Sequence, residues 1–351
     1  MKLKSKDRSL NFLIVSSVFM MVLFSISNYY CENFSIIEQD IYLFACTIKS
    51  ISIIAFPILF LVGGAILLNK PINFTKYKTN IKKMILFIIF WTFIYYLWNH
   101  FVQGENSNLI LVAVEGFFKP IDEVLGILYI FLTIYLTLPL IELITLNMTI
   151  KHENLFLNLW LFFSGTVYLI TIILNLSNLD LNVMYQIPIV QGTYYLGYFI
   201  VGHIIYKRLK EKEYDHIYNK YFIICALVGI FITIAGSFIL SICENQYFEH
   251  FFSNQSLFVM MSSISIYVLF INNGNKLFKN KKFNHIIGKI APYSLSIYLI
   301  HPLLVDLSIK YSLLNYLNPY ISVLSNLIII YLVSYLISYL IRKVPYIRNF
   351  V

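Results

Sequence analysis

One hydrophobic stretch of this sequence carries side chains that could take part in acid–base chemistry. Tyr298, His301 and Asp306 lie in a long apolar run near the C-terminal end of the chain. An ionisable group at the centre of a membrane helix costs roughly 2.5–3.5 kcal/mol, so we expect it to have a partner or a function. A histidine in this setting acts as a general base, as a proton relay, or as a buried group bonded to a neighbouring carbonyl.

The spacing of these residues indicates which of them share a helix face. Tyr298 and His301 are three residues apart, so a helix places both on one face. Asp306 follows five residues later, about 140° around the helix, and need not face the same cavity. Pro302 removes a backbone hydrogen bond and often marks a kink beside a cavity. We therefore predict His301 and Tyr298 as catalytic residues.

Three further residues are predicted to bind substrate, namely Lys49, Glu115 and Asp306. Lys49 lies in the outer half of an apolar segment. It either snorkels to the interface or points inward as a positive group for an anionic substrate or a carboxylate partner. Glu115 belongs to the apolar piece 109–118, which is too short to cross a membrane and is interpreted as an interfacial or re-entrant helix.

The elements that position these residues are predicted to be membrane helices. Of the 351 residues, 59% are hydrophobic and only 12% are charged, whereas a soluble domain carries about 25% charged residues. The apolar residues form long blocks, which predicts one all-α, polytopic membrane helix bundle over residues 1–351. The absence of Walker, H-E-x-x-H and G-x-S-x-G motifs argues against an ATP-driven pump or a zinc protease, and no metal is expected.

Ten transmembrane spans fit these blocks. Their approximate bounds are 10–30, 41–69, 83–102, 124–147, 154–175, 187–206, 221–243, 255–272, 290–311 and 318–341. The basic N-terminus followed by a long apolar run is interpreted as an uncleaved first helix. The four cysteines have no metal-ligand spacing and are interpreted as buried free thiols, with a disulfide between Cys31 and Cys243 as the alternative.

The basic residues predict how the bundle is oriented. If the N-terminus is cytoplasmic, 23 of the 26 Lys and Arg residues fall in cytoplasmic segments, as the positive-inside rule expects. Both termini are therefore predicted to be cytoplasmic, and the outer loops are acidic or neutral. The net charge of +9 reflects this topology, so no nucleic-acid partner is predicted.

Five stretches, in order along the chain, are similar to segments of one protein family. They are Ser25–Tyr30, Phe56–Leu68, Leu128–Pro139, Tyr195–Gly202 and Tyr293–Pro302. Together they resemble the integral-membrane acyltransferase-3 family, which O-acylates cell-surface polysaccharides and related envelope molecules and includes the intercellular adhesin type. The resemblance runs over essentially the whole chain.

The resemblance implies an activity and its partners. The expected reaction transfers an acyl group, most simply acetyl, from acyl-CoA to an envelope polysaccharide or a lipid-linked sugar. The implied location is the bacterial plasma membrane, among membrane lipid and with polysaccharide-synthesis proteins as partners. The acyl-CoA donor, acetyl-CoA in the simplest case, would approach from the basic cytoplasmic face.

Several polar residues of the family are replaced here. Its first helix carries an arginine and, eleven residues later, a histidine regarded as the catalytic base, but these positions hold Ile14 and Ser25. A second-helix arginine is replaced by Ile53, and a fourth-helix His-Leu-Trp reads Val-Leu-Gly at 124–126. Serine cannot act as a general base, so His301 would have to take that role.

Two interpretations therefore remain open. In the first, catalysis has been rebuilt around His301, Tyr298 and Lys49, with Asp306 or Glu115 orienting the imidazole. In the second, the chain is a catalytically silent relative, a pseudoenzyme that acts in polysaccharide export, in lipid or glycan binding, or in immunity. An ion-coupled transporter would need a charged relay and inverted repeats, and neither is clear in the sequence.

Overall fold

The structure is a computed structural model, and it describes residues 7–104, 116, 120–176, 188–211, 218–274 and 278–345. These residues form a bundle of helices, and no strand occurs among them. The helices are α1 Arg8–Glu32, α2 Gln39–Ser52, α3 Ala55–Leu67, α4 Phe74–Trp98, α5 Glu123–Leu146, α6 Ile150–Leu161, α7 Val167–Leu176, α8 Pro188–Lys210, α9 Asn219–Cys243, α10 Leu257–Asn272, α11 Lys281–Ile290, α12 Ser294–Lys310 and α13 Pro319–Lys343. This confirms the predicted all-α polytopic architecture.

In the described part of the chain, nine helical segments are long and apolar enough to cross a membrane. In this count α2 with α3, α6 with α7, and α11 with α12 each form one segment. The predicted span at 187–206 corresponds to α8, which is less apolar because its 23 residues include four tyrosines and three basic residues. At about 1.5 Å per residue, α8 is still long enough to cross the hydrocarbon core of about 30 Å.

Two polar helical segments precede the start of predicted spans. Helix α4 begins at Phe74, whereas the predicted span begins near residue 83, because the Asn73 side chain accepts the Lys76 amide and caps a polar stretch with lysines at 76, 78, 82 and 83. Residues 281–290 form the separate helix α11, capped by Asn280. Both segments are too polar to be recognised from an apolar block, so the predicted spans begin after them.

The start of α1, the end of α13 and several loops lie on one face of the bundle, here called the basic end. Lys210 Nζ at the end of α8 lies 2.8 Å from Asp7 Oδ2 at the start of α1. Arg8 Nη1 donates to the Phe278 carbonyl at 3.3 Å, and the Arg342 guanidinium stacks on another residue of this end, Tyr293, 4.1 Å from its ring centroid. The opposite face, here called the acidic end, carries Glu32, Asp40 and Asp306.

We expect the Asp7–Lys210 contact to make stability pH-dependent in the acidic range. Burial raises the pKa of Asp7, but the hydrogen bond and charge of Lys210, with the Ser9 amide, outweigh burial and hold that pKa below its usual value. A carboxyl with a lowered pKa stabilises the fold above its unfolded-state pKa of about 3.9, and this contribution disappears as the pH falls. Wild type should therefore exceed Asp7→Asn in stability by about 1 kcal/mol at most at pH 7, with the difference shrinking below about pH 4. Thermal unfolding in detergent tests this, and a difference that does not change with pH would contradict it.

Helix α1 is central to the bundle. It packs against α2, α3, α12 and α13, and its residues Ile14, Met21, Val22 and Ile26 are fully buried. At the basic end, the buried carboxylate of Glu153 joins α6 to α8 through contacts of 3.2 Å with Lys207 and 2.7 Å with Arg208. All four cysteines lie in the described residues and are free thiols, so the alternative disulfide is not formed, and Cys243 is exposed rather than buried as predicted.

Candidate functional site

A cavity of about 580 Å³ lies between α1, the start of α5 and α12, in the half of the bundle nearest the acidic end. Apolar side chains of α1, α3, α5 and α12 form part of its wall. Its polar lining residues are Ser25, Asn28, Tyr29, Glu32, Asp122, Glu123, Tyr195, Asn254, Tyr298, His301 and Asp306. The cavity thus brings three of the predicted site residues, Tyr298, His301 and Asp306, to one place.

One contact at the wall of the cavity joins α1 to α12. The Nε2 atom of His301 lies 3.2 Å from the Ser25 hydroxyl. His301 is only 1% exposed, whereas Ser25 is half-buried and faces the cavity. A hydroxyl and an imidazole nitrogen at this separation form a hydrogen bond, so a proton can pass between them.

The other ring nitrogen of His301, Nδ1, is buried and makes no hydrogen bond with the described residues. Pro302 has no N–H, so the Tyr298 carbonyl one turn earlier lacks its usual helical donor. In the tautomer with its proton on Nδ1, Nε2 is the acceptor that faces the Ser25 hydroxyl. This is the tautomer in which His301 can act as a base.

Tyr298 lies beside the imidazole, but its hydroxyl is engaged in a hydrogen bond with the backbone of α5. Its ring centroid is 5.6 Å from that of His301, and its hydroxyl donates to the Val124 carbonyl at 2.9 Å. Its buried hydroxyl thereby ties α12 to the first turn of α5. In this arrangement Tyr298 positions the two helices that enclose the cavity.

Asp306 lines the same cavity, but its carboxylate hydrogen-bonds to Trp98 and Gln103 and not to His301. Its Oδ2 accepts from Trp98 Nε1 at 3.2 Å and from Gln103 Nε2 at 3.1 Å. Asp122 is the N-cap of α5 and accepts from the Val124 amide at 2.8 Å; burial raises its pKa, and that cap bond partly opposes the effect. Asp306 therefore makes no hydrogen bond with His301, and the prediction that Asp306 or Glu115 orients the imidazole stays open for Glu115, which lies outside the described residues.

Lys49 points inward and is only 3% exposed, so it does not snorkel. Its ammonium donates to Asn28 Oδ1 and to the Tyr247 hydroxyl. It also lies 4.8–5.1 Å from the ring centroids of Phe24, Tyr247 and Phe252, a cation–π cage. Lys49 therefore does not line the cavity itself; it contacts Asn28, which does. Glu115, the last predicted site residue, lies outside the described residues.

Lys49→Met is expected to lower the free energy of unfolding by about 1–3 kcal/mol. The substitution keeps the apolar stem but leaves Asn28 Oδ1 and the Tyr247 hydroxyl without their donor, and a buried unsatisfied group costs about that much. Thermal unfolding in detergent measures the loss. The matched control is Lys76→Met on the exposed start of α4, which should unfold like wild type. Equal melting temperatures for both variants would mean that the Lys49 cage does not stabilise the fold.

The electrostatic character of the cavity limits what it can hold. Its wall carries the carboxyl groups of Glu32, Asp122, Glu123 and Asp306, and no Lys or Arg occurs among its described lining residues. Carboxylates accept hydrogen bonds from hydroxyl groups and repel phosphates. The cavity therefore suits a neutral, hydroxyl-bearing molecule better than a nucleotide.

Sequence reasoning missed part of this site. Asn28, Asp122 and Asn254 line the cavity but stand at helix ends or in loops, where polar residues are ordinary. Ser25 was recognised as a replacement, yet its contact with His301 joins residues 276 positions apart. Only the packing of α1 on α12 shows that contact.

The fold and the site define a polytopic membrane protein that encloses a polar cavity with an imidazole against a hydroxyl. A family model described as an acyltransferase domain, that of the acyltransferase-3 family, matches residues 7–343. The chain belongs to this family, which confirms the resemblance seen in the sequence and supports its assignment to the membrane acyltransferases. Searches of curated proteins and of solved structures gave no significant match.

Proposed function

We propose that the protein is a multi-pass O-acyltransferase of the bacterial plasma membrane, with its basic end and both termini in the cytoplasm. It transfers an acyl group, acetyl in the simplest case, from acyl-CoA to a hydroxyl of an envelope polysaccharide or lipid-linked sugar. The observation that carries the proposal is the imidazole of His301 at the wall of a cavity suited to a hydroxyl-bearing acceptor.

His301 supplies the base that the first helix lacks. The family's catalytic histidine would stand at position 25, and Ser25 is in direct contact with His301 Nε2. The imidazole of His301 on α12 thus lies next to the position on α1 where the family has its histidine. A base held within hydrogen-bond reach of the reacting hydroxyl contributes about 10²–10⁴-fold to the rate.

An apolar groove of about 30 Å³ lies beside this cavity, and acyl-CoA would have to widen it in order to approach from this side. The groove lies between α4, α5 and α12 and is lined by Lys83 and by apolar residues that include Leu128, Phe131 and Leu295. Leu295 lies one helical turn before Tyr298 on α12, so Tyr298 stands between the groove and His301. The thioester arm would enter here while Lys83 meets the phosphates, which the carboxylates of the cavity would repel.

A second candidate function is supported by the apolar replacements. Ile14 and Ile53 are 0% and 2% exposed in the core, where the family has cationic groups. A catalytically silent relative that binds or exports an envelope glycan, or confers immunity, would also keep the cavity. It would have no need for a proton acceptor at His301.

The experiment that separates these functions is mass analysis of the surface glycan with and without the gene. Acyl transfer predicts an acyl increment on the glycan that disappears on deletion and returns with the wild-type gene. An envelope phenotype without any change in glycan acylation, together with no acyl-CoA turnover by the purified protein, would instead establish the silent relative.

A further inference from the structure

We propose that Ser25 is a nucleophile and that acyl transfer proceeds in two steps through an acyl-Ser25 ester. This inference rests on the proposed function and goes beyond it, because there Ser25 was only the residue that replaced a base. The observation behind it is the Ser25–His301 pair, a hydroxyl 3.2 Å from Nε2 of a buried imidazole.

The arrangement has the two central parts of an activated serine. The Ser25 hydroxyl faces the cavity, and His301 Nε2 lies 3.2 Å from it, where it can accept the proton. A nucleophile and a base held in a fixed orientation are what nucleophilic catalysis by serine requires. Here burial in the bundle, at 1% exposure, holds the imidazole in place.

The local conformation of α1 leaves Ser25 free to react. Its hydroxyl has two acceptors, the Met21 carbonyl at 3.2 Å and His301 Nε2 at 3.2 Å. The hydroxyl has one proton, and rotation of the O–H group redirects this proton from the Met21 carbonyl to His301 Nε2 without any movement of the helix. Asn28 follows one turn later on the same face and lines the same cavity, with its amide held by Lys49 and Glu32.

In the first step the Ser25 oxygen attacks the thioester carbonyl of acyl-CoA, and its proton passes to His301 Nε2. The carbon–sulfur bond breaks, and the departing thiolate takes that proton to leave as CoA. In the second step an acceptor hydroxyl attacks the Ser25 ester and gives its proton to His301. The bond to the Ser25 oxygen breaks, and this oxygen recovers the proton. Both steps are balanced and need only an acyl thioester and an alcohol.

Two steps also suit a single cavity that two substrates must use. The carboxylates of the cavity favour a hydroxyl-bearing acceptor and disfavour the phosphates of CoA, so only the acyl-thioester end of the donor would reach Ser25, and the acceptor would enter afterwards. The acyl group remains on Ser25 after CoA has left. Donor and acceptor can then approach from opposite faces of the membrane without meeting.

The test is acyl labelling of the purified full chain in detergent. Wild type is incubated with radiolabelled acetyl-CoA without acceptor, quenched in acid and digested, and the label is located by mass spectrometry. We expect about one acetyl group per chain on the Ser25 peptide, no label there in Ser25→Ala, and at least tenfold slower labelling in His301→Gln. Ser25→Cys should carry the label as a thioester that neutral hydroxylamine removes. Ser27→Ala, a buried serine on the same helix, is the matched control and should label like wild type.

Each outcome decides the matter. If wild type releases CoA and acylates an acceptor but Ser25 stays unlabelled, or if Ser25→Ala transfers acetyl within about threefold of wild type, the acyl-serine step is wrong and the proposed function stands. If folded wild type neither releases CoA nor acylates any acceptor, both fail. Label on Ser25 that added acceptor does not remove would also overturn the two-step reaction, because the ester would then be a dead end.

Discussion

His301→Ala is expected to lower acyl transfer by about 10²–10⁴-fold, which is the usual contribution of a general base. The substitution removes the imidazole and leaves the cavity otherwise intact, since its other polar residues belong mainly to α1, α5 and the neighbouring loops. His301→Gln keeps much of the volume and a hydrogen-bonding group but cannot take a proton at neutral pH. It should therefore be as inactive as the alanine variant.

Acylation of the surface glycan in cells, normalised to the amount of folded protein, is the measurement. His285→Ala is the matched control, because His285 is an exposed residue of α11 and its loss should leave acylation unchanged. Glycan acylation at the wild-type level in His301→Ala would exclude His301 as the base. Activity in the glutamine variant but not in the alanine variant would give His301 a packing role instead.

The sequence predicted the architecture well because lipid imposes simple rules. Every backbone group must be satisfied within a helix, and about 20 apolar residues are needed to cross. Such patterns can be read without knowing how the helices pack. They fail where polar residues extend a helix beyond the membrane, as in the lysine-rich start of α4 at Phe74 and in the amphipathic α11.

The site was predictable only in part, for a related reason. His301 and Asp306 stood out because ionisable residues are rare in apolar runs, and both line the cavity. The sequence could not show that Asp306 is bonded to Trp98 and Gln103, or that Lys49 lies behind Asn28. Each of these partners comes from another helix or from the far end of a segment, so only tertiary packing reveals it.

Helices α3 and α8 approach each other closely at two glycines. We expect Gly64→Ala to lower the free energy of unfolding by at least about 3 kcal/mol, which is the upper end of what overpacking usually costs. A Cβ atom at Gly64 would lie 1.7 Å from the carbonyl oxygen of Phe199 on α8. Facing it, a Cβ atom at Gly202 would lie 2.1 Å from the Leu61 carbonyl oxygen on α3. Both obstacles are backbone atoms, so no rotamer change relieves them, and the two helices would have to separate.

The neighbouring glycine provides the control for this effect. A Cβ atom at Gly63 would lie 3.4 Å from the nearest atom, a ring carbon of Phe199, which is ordinary contact, so Gly63→Ala should fold like wild type. Yield and elution by size exclusion in detergent, followed by thermal unfolding, compare the two variants. Because α3 and α8 both lie next to the cavity, a Gly64→Ala protein that survives should also have lost acyl transfer. If it elutes, melts and acylates like Gly63→Ala, the α3–α8 contact is not as close as the structure places it.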